Sequence, residues 1–600
     1  MSRAIPAPQS EAGFTASLLV SESKVKNGNL QRNLQRPRTR DTDADDGFRL
    51  ARRVIRIVNG AVSCHHLQDM AASLSPVSDV LIVGSGINSL VCAAMLARSG
   101  RSVCVIEREA MLGGCIRTEE LTLPGFRHDT LSAAHPLFVA GPAYAALGPA
   151  LHAAGLEYRN SAVPTGVLLP DGRHLVLATS RAANVERFER EARGDGATYA
   201  AAMNEVKDNA DLVFALLGNE LWSGGTGRTL LKQAWKRGMH PFAGFVGASL
   251  ASCRAWLDGA VRSDTLRALL APWVLHTGLG PDSPLSALMA KVVAFTLEAV
   301  GMPLVRGGNA NTVAAFRSII EAAGGELRTG ADVVRVLVEG GTARGVELAD
   351  GSRLHAREVV CNVTPTQLYG RLLAPADVPE AVAGQARAWR YGKGNTQIHL
   401  ALSEPPRWPA AALSEVVYLH LSAGPEAVSR AVNEAERGLL PAEPTICVSQ
   451  PSAIDDSRAP PGQCVLWIQL PECPRRVRGD AAGLIDVPAD GAWTEALREA
   501  YADRVVERVA RQAPNLRDSI LARRVLSPAD LERMNMNLVG GDAYGGDCAI
   551  DQSFLWRPLR ATRNHATPVR HLWHIGASTH PGPGLGGVSG FHVARRLGAH

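Results

Sequence analysis

Glycines and a single acid between residues 79 and 109 have the types and spacing to hold a nucleotide. Near residue 80 the apolar run Asp79–Val83 meets Gly84-Ser85-Gly86, and INSLVCAAMLARSG (87–100) follows with helical spacing and small residues. RSVCVIERE (101–109) is a second apolar run, and its acid, Glu107, falls 23 residues after Gly84. Strand, G-x-G turn, helix, strand and acid in that order form the βαβ unit that binds dinucleotides. Backbone amides and the positive dipole end of the helix receive a pyrophosphate, and bare glycines let it approach. Glu107 accepts hydrogen bonds from the adenosine ribose hydroxyls. Asn88 lies in the first helical turn, and Ser89 stands where the fingerprint has its third glycine. That position serves helix–strand packing, which a small Ser permits. A lone G-x-G would say little, whereas the whole unit with its acid carries the reading.

Glu107 is followed by Arg108 and then by Gly113-Gly114, with Arg117 and Thr118 just after. A second glycine pair there is foreign to an ordinary nicotinamide domain. The stretch VGSGINSLVCAAMLARSGRSVCVIEREAMLGGCIRTEELTLPGFRHDT resembles the opening of the phytoene dehydrogenase-like flavoproteins. Within them it is most similar to the branch of the carotenoid ketolase and pyridine nucleotide-disulfide oxidoreductase domain-containing protein 2. Asn88 and LVCA (90–93) keep that branch's pattern, whereas Ile87 and Ser89 depart from it. The resemblance implies FAD as the cofactor, with Gly113, Gly114 and Arg117 against its diphosphate and ribityl chain. It continues through VRGGNANTVAAFRSIIEAAGGELRTGADVVRVLVEGGTARGVELADGS (305–352), where the Val333 backbone would meet the adenine. Gly340-Gly341 and Asp350-Gly351 there are hairpin turns on their own account. It closes in LWHIGASTHPGPGLGGVSGFHVARRL (572–597). Gly576 and Ala577 would end a strand there, and Gly587 and Val588 would start a helix whose positive end lies by the flavin pyrimidine. Gly586 stands where that family often has proline.

The architecture so implied is α/β: a FAD-binding, Rossmann-like (GR2-type) doubly wound domain that is discontinuous, with an inserted α+β substrate lobe. Residues 76–160, 303–365 and 535–600 would form the FAD domain, and 161–302 with 366–534 the lobe. WTEALREAYADRVVERVARQAPNL (493–516) is an amphipathic helix of the lobe core. The implied chemistry is hydride transfer to flavin N5 from a hydrophobic, polyene or isoprenoid substrate: desaturation, ketolation or isomerisation. Oxygen or a quinone would reoxidise the cofactor. No His, Asp or Tyr of the insertions can be assigned as a base by spacing, so the catalytic residues stay open. Two other functions remain in view: a flavin-binding interaction protein without turnover, and a flavin amine oxidase.

Composition narrows the field further. The net charge of +5 concentrates in residues 1–75, which hold eleven Lys/Arg against seven Asp/Glu. The near-neutral remainder lacks the clustered cations that a nucleic-acid surface needs. Ten scattered cysteines make no C-x-x-C and no zinc spacing, and Cys115 has no redox partner nearby, the next being Cys253. His571, His574 and His580 are close in sequence but lack accompanying carboxylate or Cys ligands, and they read as structural. RTLLKQAWKRGMHPFAGFVGASL (228–250) mixes Lys232, Lys236 and Arg237 with Trp235, Phe242 and Phe245. That suits a peripheral membrane contact, or else a lobe helix with a solvated basic edge. Residues 1–75 show no sustained periodicity and read as a disordered leader; translation starting at Met70 is one expectation, a mitochondrial transit peptide in 1–40 another. Without a transit function the expected location is cytoplasmic.

Overall fold

The computed structural model describes residues 78–599. The expectations for the leader and for a start at Met70 lie outside the described residues.

The chain runs through β1 (Ser78–Val83), α1 (Ile87–Arg98), β2 (Val103–Ile106), β3 (Thr165–Leu168) and β4 (His174–Leu177), then α2 (Gly224–Arg237) and α3 (Met239–Ser249). There follow α4 (Ala310–Ala322), β5 (Glu326–Arg328), β6 (Val333–Glu339), β7 (Thr342–Leu348), β8 (Arg353–Asn362), β9 (Gly394–Leu402), β10 (Tyr418–Leu421) and β11 (Ile446–Ser449). The last elements are β12 (Cys464–Cys473), α5 (Glu495–Ala510), β13 (Ile520–Leu526), β14 (Leu572–Ile575) and α6 (Val588–Arg596).

The first sheet has the order β6-β7-β8-β1-β2-β5, with β14 also paired to β8. The pairs β5–β2, β2–β1, β1–β8 and β8–β14 are parallel. Parallel strands buried on both faces read as unbroken apolar runs, which is how VLIV and VCVI look in the sequence. One face, with Ile82, Val105 and Val360, packs on α1, α4 and α6. The other, with Leu81, Cys104 and Ile106, is covered by the antiparallel β6-β7-β8 meander and by the segment Leu368–Trp389. Both glycines of the Gly340-Gly341 turn have positive φ (57° and 73°), as a tight two-residue hairpin requires.

The second sheet has the order β13-β9-β12-β11-β10-β3-β4 and is antiparallel except at β10–β3. Side chains alternate across it. Ile398, Leu400, Leu466 and Ile468 pack against Leu497, Tyr501, Val505 and Val509 of α5, the amphipathic helix expected from the sequence. Tyr418, Cys447 and Trp467 belong to the opposite core, with Trp273 and Val274 of the 3-10 segment Ala271–Thr277. The single helix expected over 228–250 is two, because Gly238 (φ 83°) breaks α2 from α3.

Arg458 ties the pieces together. Its side chain is wholly buried and donates to Asp129 (2.8 Å), Asp455 (2.6 Å) and the Val305 carbonyl (2.8 Å). Asp129 in turn accepts from Thr118 Oγ1 and from the Asn309 amide, so residues beside both mid-chain glycine pairs converge on one guanidinium. Removing one member of such a group strands the others without solvent. Arg458→Met is therefore expected to cost about 3–5 kcal/mol, read as a fall in the urea midpoint. Arg458→Lys recovers only part, lacking the planar fork. An unchanged midpoint would show that Asp129 and Asp455 do not depend on the guanidinium.

Candidate functional site

The carboxyl ends of β1, β8 and β14 lie side by side, the edge at which ligands bind in open α/β sheets. The turn after β1 begins at Gly84 (φ 85°), whose amide donates to the Ile106 carbonyl. Ser85 is buried; its amide (2.9 Å) and hydroxyl (2.6 Å) both donate to Glu107 Oε2. The same hydroxyl accepts from the Gly113 amide (2.8 Å), which joins the acid, the first turn and the second glycine pair. Gly86 ends the turn and caps α1 without any side-chain hydrogen bond to the helix's first amides.

The glycine pair 113–114 is packed against that turn. A Cβ on Gly113 would overlap the Ile116 carbonyl, and one on Gly114 would sit 3.2 Å from Gly86 Cα. Arg117 is largely buried and donates through Nη2 to Glu119 (3.1 Å), while its Nε has no partner among the described residues. Arg108 turns outward to Glu109 and Met536, half exposed. The Ala331 amide bonds the Glu107 carbonyl (2.9 Å), which sets buried Val333, at the start of β6, beside that acid.

The C-terminal segment docks onto α1. Asn88 Oδ1 accepts from Ser589 Oγ (2.8 Å) and from the Gly590 amide (3.4 Å), and Ser589 Oγ accepts from the Gly576 amide (3.0 Å). A Cβ on Gly590 would overlap the Asn88 carbonyl, so the two helices touch backbone to backbone. Gly587 (φ 69°) caps α6, and Val588 opens it half-buried. The Ala577 carbonyl is held by buried Arg557 (2.9 Å).

Two residues missed in the sequence finish this junction. Asn362, the last residue of β8, donates to Ser89 Oγ (2.9 Å) and lies against Gly84, Gly86 and Gly576, where added Cβ atoms would meet it. No motif marks it, and only its place at a strand's carboxyl end could have drawn attention. Gly590 had a signal: a glycine one turn into a helix marks close packing. Gly307-Gly308 has a different job from the other pairs. The first amides of α4 are taken by Thr118 Oγ1 (3.0 Å) and Asp129 (2.8 Å), so that helix end is already satisfied. α1, by contrast, presents uncapped amides and a bare glycine, which fit an anionic diphosphate.

The three C-terminal histidines do not gather: His571 bonds Glu358 (2.7 Å) and His574 the Val363 carbonyl (2.8 Å). The group of His and Cys that does gather, His276, His420 and Cys447, lies in the second sheet and came from no sequence spacing.

An α/β fold of Rossmann type with this crevice is suited to a dinucleotide cofactor. Residues 90–514 match the model of the flavin containing amine oxidoreductase family, and the chain belongs to that family, with FAD as its cofactor. It is 27% identical over 554 residues to mouse pyridine nucleotide-disulfide oxidoreductase domain-containing protein 2, covering 87% of this chain and 93% of that one. It is 26% identical over 550 residues to a neurosporene-forming phytoene desaturase of Cereibacter sphaeroides, covering 86% and 94%. A solved putrescine oxidase variant shares the fold at a TM-score of 0.53 and 18% identity, over 87% of this chain and 98% of that one.

Gly590→Ala is expected to yield a folded protein that retains less than a tenth of the wild-type FAD after gel filtration, since the added methyl wedges α6 off Asn88. Full flavin content in that variant would mean the helix contact does not shape the crevice.

Proposed function

We propose that this oxidoreductase removes hydrogen from an apolar, isoprenoid-type substrate held between the two sheets. Residues 76–160, 303–365 and 535–600 form the FAD domain in this reading. The remainder, 161–302 and 366–534, is the substrate lobe, except that Leu368–Trp389 packs on the first sheet and goes with the cofactor domain. The observation that carries the cofactor assignment is the uncapped N-terminus of α1, with Gly86 set against Gly114.

Each residue has a defined task. The α1 amides at Gly86, Asn88 and Ser89 and the Arg117 guanidinium balance the diphosphate charge. Glu107, oriented by Ser85, accepts from the ribose hydroxyls, and the Val333 backbone borders the adenine. Gly576, Ala577, Gly587 and Val588 bring the positive end of α6 to the ring system, and Asn362 and Ser589 hold that turn in place. Gly84 and Gly113 supply backbone shapes with φ of 85° and 110°. When bound, FAD accepts a hydride from carbon. Desaturation follows if a second group or solvent takes the proton. The reading for substrate rests on the similarity to a phytoene desaturase over most of both chains.

A membrane contact supports delivery of such a substrate. No described helix is long and apolar enough to cross a membrane. On α2 and at the start of α3, however, Leu231 (73%), Trp235 (89%) and Met239 (72%) are exposed, and α3 buries no residue. Arg228, Lys232 and Lys236 flank them, also exposed, a combination suited to an anionic lipid surface.

Two experiments test these readings. Anaerobic phytoene should bleach the flavin bands of the FAD-loaded protein, with colour restored by air or a quinone. Bleaching by putrescine and not by polyenes would replace this reading with amine oxidation, and a flavin that no donor or light reduces would leave only a binding role. For the surface, sedimentation with vesicles containing phosphatidylglycerol should fall at least fivefold in Trp235→Ser/Met239→Ser. Unchanged sedimentation, or loss of a self-association in its place, would remove the lipid contact.

A further inference from the structure

The face of the second sheet opposite α5 is aromatic without being purely apolar. Trp273 and His276, of the 3-10 segment, meet Tyr418 and His420 of β10: the Trp273 ring is 5.0 Å from His420 and 6.4 Å from Tyr418. Tyr418 continues to Trp467 of β12 at 6.3 Å. Cys447 stands opposite His420 in the β10–β11 pairing. All but His276 are buried to 9% exposure or less.

Three polar atoms in this group have no hydrogen-bond partner among the described residues: Trp273 Nε1, Trp467 Nε1 and His420 Nδ1. Buried polar groups are almost always satisfied, so each such atom calls for an absent partner. Both indole nitrogens can only donate. Burial holds His276 near pKa 4 and His420 well below its ordinary value, so both imidazoles are neutral. They share one hydrogen bond, Nε2 to Nε2 at 3.0 Å. The group is therefore donor-rich and uncharged.

Its position links it to the cofactor crevice. Leu275, one residue before His276, accepts from Tyr544 Oη (2.5 Å), and the next residue, Gly545, accepts from Ser578 in the turn after β14 (2.6 Å). At the other end His399 stacks along Trp467 (6.1 Å) and His128 meets His399 (5.4 Å), in the hairpin that follows Arg117.

We infer that Trp273, His420 and Trp467 form a polar subsite, within the substrate region proposed above, that takes a neutral oxygen function of the substrate, an ether, hydroxyl or carbonyl. A hydrocarbon end seated there would leave the donors unpaired. A charged amine or carboxylate would find no counter-charge among these residues. The inference rests on the reading that the two sheets enclose the substrate.

A metal ion is the competing occupant, because the ligand atoms of His276, His420 and Cys447 lie within 4.8 Å of one another. A ligating histidine almost always donates its other ring nitrogen to an acceptor. His420 Nδ1 has none. The short His276–His420 distance is also that of a plain hydrogen bond.

The test uses the full chain loaded with FAD, titrated with squalene and with 2,3-oxidosqualene, which differ by one oxygen atom; the flavin difference spectrum reports binding. Oxidosqualene is expected to bind about tenfold tighter, the scale of one or two neutral hydrogen bonds. Trp467→Phe and Trp273→Phe, which keep one aromatic ring and remove the N–H, should each reduce that preference severalfold and leave the flavin content unchanged. Equal affinities in the wild type, or a preference that survives both substitutions, would overturn the subsite and leave the substrate region standing. Binding of neither probe would overturn the substrate region and the subsite with it. One equivalent of tightly bound zinc or copper that disappears in His420→Phe would overturn the subsite in favour of a metal centre.

Discussion

The cofactor crevice depends on one backbone contact. At Gly590 and Asn88 two helices approach so closely that no side chain fits between them, and the Asn88 amide oxygen takes the hydrogen bonds that hold them there. Two positive helix ends thereby point to the same edge of one sheet. Each end alone is a weak anion site; together they can serve the diphosphate and the ring system of a single extended cofactor. Asn362 locks the geometry from the third side, touching the turns after β1 and β14 at once. The glycines at 86 and 590 answer to that crowding, whereas those at 84 and 576 meet it and a positive φ together.

This division of labour explains what the sequence discloses. The positive φ at Gly84, Gly113 and Gly587 and the place of Glu107 just after a strand are local properties of the chain. The meander was legible through its glycine turns for the same reason. Asn362 was not, because an asparagine before a loop has many ordinary uses, and its partners come from segments hundreds of residues away. The subsite around His276 and His420 is the extreme case. The residues of that aromatic group come from four elements, and only the pairing register of β10 with β11 sets Cys447 against His420. The break between α2 and α3 was hidden in plain view: Gly238 follows two basic residues at the end of α2, a common way for helices to stop.

The residues around Arg458 and those lining the second sheet are held by unlike interactions. Around Arg458 the joint is ionic and fully desolvated, which makes it specific in geometry and intolerant of a missing partner. Along the second sheet it is a run of rings, more tolerant of varied contents. A buried ionic anchor beside a wall of rings suits an oxidoreductase family whose members share one cofactor and differ in what they oxidise.

The order of the chain adds a temporal constraint. The first turn of the crevice is made near residue 84 and its last near residue 590, so the nascent protein emerges with an open crevice until the segment around residue 590 has been made. The parallel sheet likewise waits for β14 to complete one edge. Capture of FAD thus reports that the chain has been made through α6, and one released before that point carries an exposed sheet edge, a form that cellular quality control can recognise.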